Sequence, residues 1–576
     1  MQEVRNILKL SKFVIFLSAL MCIGLGWLMP IKTLLWSSFY PELSVFIGIA
    51  ALTLLCLPPS PRLTLPVASI FLVSLIPLGQ TFIGTLLFAG DGWLNSLYIV
   101  GFFLSIVVGF NAGLSDDNSK EFVDGFAVVL IVASVLSAII AIRQWLGLAN
   151  SDVELHYSGA RAYANLGQPN HLATLLCFGL IALVYLFEKC RLGRTTASLL
   201  ACVVFFALVI TQSRTPFLIG LSVVVFWWWQ RRRLSLRLTS ACLIGWFCVF
   251  IAVYTLFPVL SDALMLPSQS LEARAGASGR FDLWAAAWQA ITEGPILGYG
   301  WGQIITAQIA VNDQLPVQGL MFYSHNLFLD ILLWNGIWVG SLIILGIFVW
   351  AFRLLLAPAR LETTFALLIA GAVFAHGMVE YPYGYAYFLL PAGLMLGVAE
   401  SGRAQGCSFR VSRWVRGMAG LMIVMIVVVV VREFRHYADN DFNRRIAAAG
   451  VIGFEQQELK GRFRIFSQLK ALQDFRQIDL TDNLSPSDLN DMSHVALRYP
   501  YLANLYRYSL ALFLNGQVEE GADQLDILRS IHGEENYALA MEQLDEALKE
   551  AGHADGLFLC SLPPGCESVN LKPGKR

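Results

Sequence analysis

Charge is what this chain has little of. Asp, Glu, Lys and Arg make up 14% of its 576 residues, against roughly a quarter in soluble domains. An ordinary soluble fold is thereby excluded. The 40 basic residues are scattered through short loops and form no continuous stripe, which excludes nucleic-acid binding. There is no zinc-type Cys/His spacing, no P-loop and no Gly-x-Ser-x-Gly elbow. Cysteine is sparse where disulfides would persist: of ten cysteines, all but Cys560 and Cys566 fall in apolar runs or in loops assigned below to the cytoplasm.

What the chain has instead is long apolar runs. Hydrophobic residues reach 56% and the mean hydropathy is +0.62. A helix needs about 20 apolar residues to cross a bilayer. Thirteen segments qualify: 12–29, 41–56, 63–78, 93–110, 122–145, 171–187, 196–212, 214–229, 240–257, 326–350, 363–380, 384–399 and 417–432. The first follows Arg5, Lys9 and Lys12 but has no small-residue cleavage site after it, so it reads as a span and not as a signal peptide. The expected fold is all-α: a polytopic membrane protein of about 13 transmembrane helices.

Lysine and arginine concentrate on the cytoplasmic side of membrane proteins. With the N-terminus inside, the cytoplasmic segments, among them "EKCRLGR", "RRRLSLR" and "FRLLLAPAR", hold 18 Lys and Arg, and the short loops opposite hold only Lys32, Arg161 and Arg214. Four regions follow: N-terminal spans (1–257), a large outer loop (258–325), C-terminal spans (326–432) and an outer polar tail (433–576). In the tail, "YPYLANLYRYSLALFLNGQVEEGADQLDILRSIHG" reads as helix, Asn-Gly turn, helix, one tetratricopeptide-like hairpin. Cys560 and Cys566, in "CSLPPGC", are the two outer cysteines and a candidate disulfide.

Five polar clusters fall on the outer face: "YANLGQPNHLATLL" (163–176), "TQSRTPF" (211–217), "SGRFDLW" (278–284), "YSHNLF" (323–328) and "VEYPYGYAY" (379–387). Charge at a membrane edge is costly and marks function. Each cluster also has a plain reading. Arg214 reads as an interface snorkel, and Arg280 as a loop residue paired with Asp282. His325 reads as a helix-start histidine. Gln168, Asn170 and His171 read as turn and cap residues, Tyr381, Tyr383 and Tyr385 as an aromatic belt, and Glu380 and His376 as an i, i+4 pair.

Taken together, two arginines and a histidine suit one chemistry. Arginine binds phosphate oxygens bidentately and stays charged. Histidine takes a proton from a hydroxyl near neutral pH. This suits displacement of a diphosphate by an alcohol, and a site at the membrane edge hangs that diphosphate from a lipid. Metal-dependent transfer would want paired carboxylates, whereas the early outer loop "GQTFIGTLLFAGDG" offers Asp91 alone. A transporter, the non-enzyme alternative, would carry polar groups at mid-membrane.

"SRT" at a helix hairpin, an arginine in the next outer loop, then "GYG" and "SHN" before a helix resemble the O-antigen ligase and polymerase superfamily. "NLGQPNHLATLL" and the polar tail resemble its protein O-oligosaccharyltransferases of Gram-negative bacteria, which glycosylate pilins. The resemblance implies a GT-C-like ligase fold in the inner membrane, with the active site facing the periplasm and a periplasmic helical C-terminal domain. It implies en bloc transfer of a glycan from undecaprenyl diphosphate to a Ser/Thr hydroxyl of a periplasmic protein such as pilin, with no cofactor and no metal. His325, Arg214 and Arg280 match the catalytic positions, and Gln168 and Tyr381 the functional glutamine and tyrosine. Asn170, His171, Glu380 and Tyr383 join the substrate-binding set. Transfer to lipid A–core, or polymerisation of O-antigen, uses the same donor chemistry and stays open on the sequence.

Overall fold

The computed structural model describes residues 2–33, 36–149, 153–157, 159–268, 279–357, 359–403, 406–408, 410–450, 463–481 and 483–551. Cys560 and Cys566 lie outside the described residues. The chain is an all-α, multi-pass membrane protein. The strand content among the described residues is one two-residue antiparallel ladder, Arg62–Leu63 with Cys407–Ser408.

The apolar runs become helices because a backbone in lipid must satisfy its own hydrogen bonds. In order they are α1 (Gln2–Leu28), α2 (Phe39–Ala51), α3 (Leu65–Val73), α4 (Ile76–Phe82), α5 (Ala89–Gly113), α6 (Asp116–Trp145), α7 (Pro169–Glu188), α8 (Arg194–Ile210), α9 (Thr215–Arg231) and α10 (Ser240–Ala263). Two short helices follow in the large loop, α11 (Arg280–Glu293) and α12 (Ile304–Ala310), then α13 (Leu327–Leu355), α14 (Leu361–Gly377), α15 (Ala386–Ser401) and α16 (Arg413–Ala448). Among the described residues, seven segments are long and apolar enough to span, and five shorter apolar helices accompany them. With α9 these account for every expected crossing.

Two crossings differ from expectation. The segment expected at 63–78 is two helices, α3 and α4, meeting at Ser74–Leu75 ahead of Pro77. The segment expected as one helix at 326–350 breaks at Gly336, whose φ of 72° and ψ of 171° leave the helical region. The break is satisfied from outside. Tyr299 N donates to Leu333 O at 2.8 Å, Gly300 N to Trp334 O at 3.2 Å, and Gln80 Nε2 also to Trp334 O at 2.8 Å. Helix ends need such partners. The first part of α13 therefore packs with the loop helices: Ile331, Leu333 and Trp334 share a core with Ala286, Ala290, Ile304 and Ala307.

At the centre, α5 and α15 approach backbone to backbone. A Cβ on Gly109 would sit 1.9 Å from Leu394 O, and one on Gly397 2.1 Å from Ile106 O. Small residues permit such contacts where lipid offers no hydrophobic drive.

Helix α16 runs 36 residues, about 54 Å at 1.5 Å per residue, far more than a bilayer core. Its polar end carries the tail: α17 (Ser467–Gln477), α18 (Pro486–Arg498), α19 (Leu502–Leu514), α20 (Val518–His532) and α21 (Glu534–Glu550). The hairpin expected within 499–533 is α19–α20, turning at Gly516 with φ 75°. The tail is docked, not dangling. Arg498 grips Asp91 at the start of α5 with Nε–Oδ2 at 2.8 Å and Nη2–Oδ1 at 3.0 Å, and Gly319 N of the large loop donates to Ile531 O at 2.9 Å.

Candidate active site

All five polar clusters meet at one end of the bundle, the end that carries α11, α12 and the tail. The Lys/Arg-rich loops after α7, α9, α13 and α15 occupy the opposite end. At the site end the chain turns four times: before α7, between α8 and α9, before α13, and between α14 and α15.

The hub is Glu380, whose side chain is only 5% exposed. Its Oε1 accepts from Arg280 Nη2 at 2.5 Å and from Asn170 Nδ2 at 3.0 Å. Its Oε2 lies 2.8 Å from His325 Nδ1. Burial pushes this carboxyl up, but the His325 hydrogen bond and charge, then Arg280, outweigh it and hold the group below the usual carboxylate range. Arg280 thus pairs with Glu380 and not with its neighbour Asp282. Nor do Glu380 and His376 satisfy each other: His376 Nδ1 meets Thr174 Oγ1 at 2.8 Å.

Asn170 extends the network. Its Oδ1 accepts from Ser213 Oγ at 2.7 Å and from Arg161 Nη2 at 3.1 Å, and Arg161 Nε donates to Thr211 O at 3.0 Å. Arg214, next in the chain after Ser213, is exposed at the start of α9. The hairpin between α8 and α9 is tight because Gln212 takes a positive φ of 48°.

His325 also sits in the left-handed region, φ 59°, a state that costs a non-glycine residue on the order of 1–3 kcal/mol. Its neighbours hold it there. Ser324 N donates to Asp330 Oδ1 at 2.8 Å and Ser324 Oγ bonds the same oxygen. Trp284 Nε1 of α11 donates to Ser324 O at 3.0 Å. Asn326 caps α13, accepting from Phe328 N at 3.0 Å and Leu329 N at 3.3 Å. The imidazole keeps 27% of its surface and stands edge-on to Tyr381 at 4.9 Å. Tyr381 in turn stacks on Tyr323 at 4.5 Å, and burial raises its hydroxyl pKa.

The remaining expected residues take distinct places. Gln168 precedes α7, and its Oε1 is buried without a hydrogen-bond partner among the described residues. His171 is 2% exposed, its Nδ1 3.2 Å from Tyr387 OH and its ring against Tyr385. Tyr383 OH donates to Asp330 Oδ2 at 2.6 Å, so its polar end points inward. Sequence reasoning missed Arg161, Ser213, Trp284 and Asp330 as members of the site. Ser213 and Trp284 lie inside two of the quoted clusters, and that nearness was their signal. Nothing local marks Arg161 or Asp330.

Beside the site runs a cavity of about 1270 Å³. At membrane depth it is apolar, lined by Leu218, Ile343, Ile347 and Phe374, and it reaches Tyr323 and Tyr383 in the two turns that flank His325 and Glu380.

Comparison with known proteins meets this geometry segment by segment. Residues 196–345, which hold Arg214, Arg280 and His325, match the O-antigen ligase family. Residues 364–545, which hold Glu380 and most of the tail, match the C-terminal region of virulence factor membrane-bound polymerases. The class these segments resemble is a membrane-bound ligase, and residues 196–345 form an O-antigen ligase domain. Residues 162–187, with Gln168, Asn170 and His171, match the protein glycosylation ligase family. A general O-oligosaccharyltransferase of Acinetobacter baylyi is 28% identical over 572 residues, covering 94% of this chain and 96% of its own. A ComP-specific O-oligosaccharyltransferase of the same organism is 27% identical over 516 residues, covering 87% and 92%. The chain is an enzyme, a transferase similar to these oligosaccharyltransferases.

Proposed function

We propose that this enzyme transfers a preassembled glycan en bloc from undecaprenyl diphosphate to a Ser or Thr hydroxyl of a periplasmic protein, pilin-like acceptors among them. The site end of the bundle faces the periplasm from the inner membrane, and the Lys/Arg-rich loops face the cytoplasm. One observation carries the reading: Glu380 holds His325 and Arg280 together, 2.8 and 2.5 Å away.

The chemistry follows from that pairing. Glu380 accepts the Nδ1 proton of His325, which fixes the tautomer and leaves Nε2 as the base, the usual role of a carboxylate behind a histidine. Nε2 takes the proton of the acceptor hydroxyl as its oxygen attacks the anomeric carbon. The bond from that carbon to the diphosphate oxygen breaks, and the leaving diphosphate carries the charge away. Arg280 and Arg214 receive that charge, and the positive end of α9 behind Arg214 favours it as well. Glu380 stabilises the imidazolium formed. No metal ion is needed, because two guanidiniums take the charge that a cation would. The apolar cavity alongside α13 suits the polyprenyl chain, and Gln168, Asn170 and Tyr381 line the approach to the hydroxyl.

Intact-mass measurement tests this directly. Purified enzyme with a lipid-linked glycan and a candidate acceptor adds one whole-glycan mass to the acceptor. Deleting the gene removes that mass from periplasmic protein and leaves the lipopolysaccharide banding unchanged. Two family matches name an O-antigen ligase and a polymerase, so the other results have meaning. Lost O-antigen attachment with unchanged protein masses makes the acceptor lipid A–core, and shortened chains alone make the enzyme a polymerase.

A further inference from the structure

Asp330 is fully buried, carries none of the chemistry above, and touches both halves of the site. Its Oδ1 accepts from Ser324 N at 2.8 Å and from Ser324 Oγ, in the turn whose next residue is His325. Its Oδ2 accepts from Tyr383 OH at 2.6 Å, in the turn that begins with Glu380 and Tyr381. His325 and Glu380, one in each turn, lie 55 positions apart, and one carboxylate spans the two turns.

We infer that Asp330 is a positioning residue for the transfer reaction: it sets the spacing between His325 and Glu380 by clamping their two turns to one carboxylate. The inference rests on the assignment of His325 as the base. Four observations support it. His325 occupies a left-handed backbone state, which the surrounding structure must over-determine to persist, and Asp330 supplies two of the bonds that fix the preceding residue. Tyr383 packs edge-on against Tyr323 at 5.9 Å and Trp334 at 6.3 Å, so its hydroxyl is aimed and not free to swing. Tyr323 in turn stacks on Tyr381, which meets the His325 ring, so the clamp reaches the imidazole by backbone and by ring contact. Ser324 and Asp330 are both 0% exposed, so water offers no substitute partner. Charge-assisted bonds in such surroundings hold geometry tightly.

A clamp of this kind acts on the turnover step and not on donor capture. Displacing a reacting group by about 1 Å costs on the order of 100-fold in rate. Asp330→Ala should therefore lower kcat on that scale and leave KM for the lipid-linked donor unchanged. Asp330→Asn recovers most of the rate, because its amide oxygen still accepts from Ser324 and its amide nitrogen donates to Tyr383. Tyr383→Phe, which removes one limb, falls between. His325→Ala is measured alongside, so that a transferring His325→Ala enzyme marks failure of the base assignment and not of the clamp. Should Asp330→Ala fail to fold, Tyr383→Phe and Ser324→Ala carry the test with a melting temperature as control. Full kcat in both of these, or an Asp330→Ala loss appearing in KM with kcat within about twofold of wild type, overturns the inference.

Discussion

Two ion clusters sit at opposite ends of one bundle and differ in how they finish. At the site end one carboxylate, Glu380, is shared by Arg280 and His325, whose side chains keep 33% and 27% of their surface. At the other end one ammonium, Lys189, lies 3.0 Å from Asp124 and 3.0 Å from Glu362 and keeps 12%. The Lys189 cluster closes on itself and ties α6, α7 and α14 together. The Glu380 cluster is anchored on the buried side and leaves guanidinium and imidazole faces open to a visitor. Charge at a membrane edge is costly either way, and what separates a staple from a site is whether hydrogen-bonding capacity is left over.

Breaking each cluster should therefore give opposite signatures. The largest effect is expected at His325: His325→Ala removes the proposed general base, worth about 10²–10⁴-fold in rate, and leaves the melting temperature near wild type. Glu380→Ala should follow it closely, since it frees the imidazole and strands Arg280. Lys189→Met inverts the pattern. It leaves Glu362 without its cation and Asp124 with only the exposed Arg191 at 3.6 Å, a loss approaching the roughly 3–5 kcal/mol of a broken buried pair, read as a drop in melting temperature with unchanged turnover per folded molecule. A wild-type melting temperature in Lys189→Met would remove the contrast.

Arg280→Lys is a finer probe. It keeps charge but loses the fork; one charge-assisted bond is worth about 1.5–3 kcal/mol, so donor binding should loosen on the order of tenfold or more. The smallest effect is one of pH. The carboxyl of Glu380 is held below its ordinary value of 4.5, so its partners stabilise the fold above that value, and the contribution is lost as pH falls through the lower folded pKa. The melting-temperature difference between wild type and Glu380→Gln should be constant above about pH 4.5 and shrink below it. A difference that grows on acidification would mean the carboxyl is raised, and that burial outweighs its partners.

The spans were legible because hydropathy is a local property, and every expected crossing has its helix. The two misread segments show where locality ends. Residues 326–335 are as apolar as a membrane helix, yet they belong to the core of the loop helices, because Tyr299, Gly300 and Gln80 wait at the break to take the freed carbonyls. Asp91 looked like a solitary acid, and its partner Arg498 stands 407 positions away. No window of sequence contains both.

The site divides along the same line. The sequence by itself determined the membrane class, the alternation of basic loops and the candidates for the proposed chemistry: His325, Arg214 and Arg280, each in a short motif whose residue types suit diphosphate displacement. Only the tertiary structure decided how they combine. Glu380 pairs with His325 and Arg280 and not with His376 one helical turn away, and Asp330 joins two turns that the sequence keeps apart. The reason is physical: a helical period places partners three or four positions apart, whereas a turn delivers its side chains wherever the packing of its flanking helices puts them.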